Sequence, residues 1–142
     1  MRTAGVAVVL VGLLLTANAC ANKHVATQID YTIVTACAAF QSTEIAAHRA
    51  GKISDDTHGR IMNAMGTVWR LAGRYNQLVR DWPGAGAAPL ELMKVAGDIA
   101  GTMRTVLDLL PGTDPETLKS AKQILSIVEG VLKLGGDADA AH

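Results

Sequence analysis

Four stretches of this sequence place an apolar residue at alternating steps of three and four, and glycine or proline cuts off each one. The first stripe is Ala26, Ile29, Ile33, Ala36, Phe40, Thr43 and Ala47, and the second is Ile61, Met65, Val68, Ala72, Tyr75, Val79 and Trp82. The third runs Leu92, Ala96, Ile99, Met103, Val106, Leu110, and the fourth Leu118, Ala121, Leu125, Val128, Leu132. That spacing keeps one side of an α-helix apolar and leaves the other for water. No stretch alternates as a strand would. The pattern predicts an all-α chain with helices at about 25–50, 55–82, 90–110 and 115–134. Short connections between amphipathic helices make neighbours antiparallel, so the expected architecture is an up-down four-helix bundle.

The breaks carry their own chemistry. Gly51 can take the left-handed conformation that ends a helix, and Ser54 followed by Asp55 and Asp56 is an N-cap with acids in the first turn. Pro83 to Pro89 reads as a flexible connector with no core residue. Pro111-Gly112 ends the third helix, and Asp114-Pro115-Glu116 opens the fourth. Gly135-Gly136 is expected to close it, leaving 137–142 as a loose tail. In the third helix Ala96, Gly97, Ala100 and Gly101 are small enough for a close neighbour.

Composition narrows the classes. With 142 residues there is room for one domain, and 49% hydrophobic content is ample for a core, which excludes general disorder. Thirteen basic residues against thirteen acidic ones leave no excess of cations, so nucleic acid is not an expected partner. Two cysteines can form at most one bridge, which excludes a disulfide scaffold.

The N-terminus is a different material. Arg2 is its only charge, Ala4 to Leu15 is an unbroken apolar run, and Thr16-Ala17-Asn18-Ala19-Cys20 follows. A positive end, an apolar middle and small residues at the exit form an export leader over 1–19. Ala19-Cys20 resembles the bacterial lipoprotein signal, whose cysteine is lipidated and becomes the first mature residue; Ala17 stands where that family usually has Leu. The resemblance implies lipidation of Cys20 and an outer-membrane destination, because Ala21 rather than Asp follows the cysteine. Plain cleavage after Ala19, recognised through Ala17 and Ala19, is a second outcome. A third is retention of 3–21 as a signal-anchor helix of nearly the length a bilayer requires. Cys37, among Ala36, Ala38 and Ala39, reads as a small buried hydrophobe.

Catalytic constellations are sparse. There is no Gly-x-Ser-x-Gly elbow, no phosphate-binding glycine loop and no Cys-x-x-Cys-His haem attachment, so a non-enzymatic protein without a cofactor is expected. One cluster could hold a metal. Glu44 and His48 share a helix face, while Asp55 and His58 follow across the Gly51 turn. The alternative reading gives Asp55 to the helix start and His48 to the preceding helix end. Met62, Met65, Met93 and Met103 lie on or beside the stripes, where core packing explains them better than haem ligation. Arg60, Arg70, Arg74 and Arg80 could form a basic contact face on the second helix, or simply a solvated one.

These observations predict an exported helical bundle tethered to membrane lipid through its N-terminus. It would act in the cell envelope by contact with another protein or with its own copies. The overall make-up is similar to small lipoproteins of bacterial genomes and sometimes of phages. Two alternatives are a phage lysis or exclusion type protein that perturbs membranes through an uncleaved span, and an exported metal- or haem-binding bundle.

Overall fold

In the computed structural model the chain consists of α1 (Arg2–Arg49), α2 (Asp55–Asp81), α3 (Leu90–Leu109) and α4 (Pro115–Ala140). The structure describes the backbone of residues 2–84, 86–110, 112 and 114–140, and the side chains of 23–133 apart from 85, 111 and 113. The helices pack up and down in a ring, each against the next, with α4 closing on α1. Ala17, Ala19 and Cys20 lie outside the residues whose side chains are described. Among the described residues, no helix is long and apolar enough to cross a membrane.

The first corner forms as its residues dictate. Gly51 has φ of 76°, a conformation that costs a residue with a Cβ. Its N–H donates to the His48 carbonyl at 3.0 Å, and the Lys52 N–H donates to the Ala47 carbonyl at 2.9 Å. This pairing satisfies two carbonyls that the helix end would otherwise leave orphaned. Ser54 then caps α2, its hydroxyl accepting from the Thr57 N–H at 3.2 Å. At the third corner Pro115 is the first residue of α4, and buried Asp114 accepts from the Thr117 hydroxyl.

All seven residues of the second stripe and all six of the third are buried. In α1 and α4 the buried faces are rotated slightly from the apolar stripes. The α1 face is Ala26, Asp30, Ile33, Cys37, Phe40, Glu44 and Ala47, so Ile29, Ala36 and Thr43 sit at its margin. In α4, Ala121, Ile124, Val128 and Val131 are buried, while Leu118, Leu125 and Leu132 flank them, half-buried. A core-facing surface is wider than one row. In α1 two carboxylates occupy core-facing positions that apolar periodicity leaves out.

Three expectations are corrected. The backbone of α4 continues through Gly135-Gly136 to Ala140, so 137–140 is helical. Glycine permits a helix end without imposing one. The connector after Trp82 is anchored: the Lys23 ammonium donates to the Trp82 carbonyl, and Ala88 packs against the core. Finally, only Ala96 and Ala100 face the interior; a methyl placed on Gly97 or Gly101 would meet nothing within 4 Å.

Candidate functional site

The α1–α2 corner gathers the titratable residues that the sequence singles out. Glu44 enters from the last turns of α1 and is fully buried, while His58 approaches from the first turn of α2. The His58 Nδ1–H donates to Glu44 Oε1 at 2.7 Å and to Oε2 at 3.0 Å. An ionised carboxylate can only accept, so in this pair Nδ1 carries the proton. His48 Nε2–H donates to Asp55 Oδ1 at 2.7 Å, and here the carboxylate is fully exposed. The two imidazoles stack, with ring centroids 3.9 Å apart and planes 3° from parallel.

The structure therefore brings Glu44, His48, Asp55 and His58 together, as two hydrogen-bonded pairs joined by a ring stack. That geometry bears on the metal reading. A metal ion lies in the plane of each imidazole that binds it, and two stacked rings whose planes are 3° from parallel share no such point close to their nitrogens. Among the described residues, no three His, Cys, Asp or Glu side chains converge as a metal site. A carboxylate orienting a histidine is also half of a hydrolytic triad. The Ser54 hydroxyl, four residues before His58, donates to Thr57 at 3.0 Å and caps the helix. What the arrangement does is fasten the corner. A buried carboxylate without a partner would cost several kcal/mol, and His58 supplies that partner.

A second polar cluster lies toward the other end of the bundle. Buried Asp30 accepts from the Asn76 amide through Oδ2, and its Oδ1 has no partner among the described residues. The neighbouring Tyr75 hydroxyl donates to the Ala26 carbonyl at 3.0 Å. Burial, and secondarily the charge of Asp30, push the Tyr75 phenol well above its ordinary pKa. Sequence reasoning passed over this cluster. Its signal was present, since Asp30 is four residues after Ala26 and three before Ile33, in register with the stripe. Cys37 lies on the same face, fully buried and unbridged, and burial pushes its thiol up to about 11.

Of the four arginines of α2, two have acidic partners. Arg60 pairs with Asp56 at 3.2 Å, and Arg74 pairs with Glu91 of α3 at 2.6 Å. Arg70 donates to Thr67, and Arg80 is exposed near the end of α2. The methionines are core material: Met65 and Met103 are fully buried, and Met62 and Met93 pack beside them. Compared with protein-family models, curated proteins and solved structures, the chain matches none.

Proposed function

We propose that this chain is an exported helical bundle moored to a membrane at its N-terminus, working by protein contact rather than catalysis. The observation that carries the reading is the order Arg2, apolar run, Ala17-x-Ala19, Cys20, followed directly by an amphipathic bundle. An apolar leader brings the chain to the bilayer, and a lipid on Cys20 holds it there. The bundle supports the contact role. Its two polar clusters fasten helices to one another, and two ion pairs, Arg74–Glu91 and Arg104–Glu129, tie α3 to α2 and to α4.

Cells fed a labelled fatty acid test the tether. Label should appear on the wild-type chain in the membrane fraction and vanish in Cys20→Ser. Equal label on the variant rules out Cys20 as the attachment point. A second reading keeps the leader as an uncleaved anchor in a membrane-perturbing protein, and the unbroken α1 backbone from Arg2 to Arg49 is compatible with it. Collapse of membrane potential on expression of the full chain favours that reading; unchanged potential disfavours it.

A further inference from the structure

Because the helices run up and down, the two ends of the bundle gather different corners. One end holds the α1–α2 and α3–α4 connections; the other holds the connector between α2 and α3. That connector is fixed beside Lys23. The Lys23 ammonium donates to the Trp82 carbonyl, and a methyl placed on Gly84 would lie 3.2 Å from Lys23 Cδ. Lys23 follows Cys20 by three helical residues, about 4.5 Å along the axis. The corners also differ in chemistry. Lys52 and Asp114 stand in the two connections of the far end, and Asp55, Asp56 and Glu116 open the helices that follow. From Pro83 to Leu90 there is no charged side chain. Leu90, the first residue of α3, is 86% exposed, more than any other large apolar side chain among the described residues. Pro83, Gly86 and Ala87 are exposed with it.

We propose that this end of the bundle rests on the bilayer, with Leu90 and Ala87 entering the layer between headgroups and acyl chains. The proposal rests on the mooring put forward above and adds a second membrane contact to it. A lone exposed leucine is ordinary on a protein surface; its place is what singles out Leu90. Both forms of mooring, a lipid on Cys20 or an uncleaved anchor helix, bring the membrane to the end that carries the uncharged connector. Charged side chains resist entry into a bilayer, which bars the far-end corners and leaves this one free to enter. The interfacial layer is still hydrated, so the unpaired backbone groups of the connector keep their water there. Exposed Arg80, Asp81 and Lys94 surround the tip with both signs, so the attraction is apolar rather than ionic. One leucine is too little to hold a free protein on a membrane. A chain moored a few residues away presents it at high local concentration, where a weak contact suffices. Two attachment points then stand the bundle on its end, with the Glu44–His58 corner a helix length, roughly 40 Å, from the surface.

Full-length Leu90→Cys, carrying an environment-sensitive fluorophore in isolated native membranes, tests the contact. Cys37 is buried, and wild-type chain treated alike sets the background from any other thiol. Lys52→Cys at the far end is the reference site. At position 90 the emission should shift to the blue. Aqueous iodide should quench it several-fold less than at 52, and a lipid-borne quencher several-fold more. A label on Ala87→Cys should be shielded likewise, and adding Leu90→Asp should return it to water. Equal iodide quenching at 90 and 52, or shielding at 87 that survives Leu90→Asp, overturns the inference. Shielding from iodide without lipid quenching means that protein covers the tip, and overturns it too. Fractionation separates the two claims. Chain in the membrane fraction with position 90 in water overturns the tip contact alone; chain confined to the soluble fraction overturns mooring and contact together.

Discussion

Glu44 shows what a single residue contributes. It sits among core side chains, and among the described residues its one hydrogen-bond partner is His58. Removing His58 strands the buried carboxylate, so His58→Ala should destabilise the fold by about 3 kcal/mol in urea unfolding. Asp55→Ala, at a fully exposed carboxylate, should barely move the midpoint. Cys37 makes a pH prediction. Its thiol ordinarily ionises near 9.0 and in the fold near 11, so above pH 9 the unfolded chain binds fewer protons than the folded one. Stability is therefore intact below about pH 9 and falls as pH rises toward 11. The Cys37 share of that fall is roughly 2 kcal/mol, lost in Cys37→Ala. Tyr75 ionises against the same resistance and steepens the fall in the same direction. A flat urea midpoint from pH 8 to 11 would contradict both assignments. Residues of this kind were half legible in the sequence. Cys37 among alanines declared its burial, whereas Asp30 and Glu44 look like ordinary helix charges until Asn76 and His58 arrive from α2.

At the scale of the element, helix ends and interiors make opposite demands on glycine. Gly51 holds the left-handed conformation that turns α1 toward α2, so Gly51→Ala should lower thermal stability by about 1 kcal/mol. Gly101 lies inside α3 with open space around it, so Gly101→Ala should raise stability by about 0.5–1 kcal/mol. Differential scanning calorimetry on the two variants reads both signs; matching shifts would undo the distinction. Helix existence and most boundaries were legible because caps and breakers act locally: Ser54, Gly51 and Pro115 do what their chemistry allows wherever they stand. The end of α4 was not, because Gly135-Gly136 offers a stop that the backbone does not take. Rotation of α1 and α4 about their axes was legible only to within one position. Which row turns fully inward depends on the facing helix, and Ile124 and Val131 are buried where Leu125 and Leu132 flank.

Across the whole molecule, the ring of four helices encloses its apolar stripes and fastens them near both ends, by Glu44–His58 at the first corner and by Asp30–Asn76 with Tyr75 nearer the other end. Up-down order was readable from short connections, and closure of α4 on α1 from the fact that each stripe must be covered. The geometry of the corner cluster was not. Sequence could place two histidines near two carboxylates, but only the packed rings reveal a stack rather than a converging ligand set. The account of the whole protein rests on its N-terminal mooring. The most direct test is the intact mass of the native chain recovered from the cell envelope. A polypeptide beginning at Cys20 and heavier than its sequence by two or three acyl chains on a glyceryl group is the predicted result. A chain beginning at Met1, unmodified and recovered from the cytosol, would contradict it.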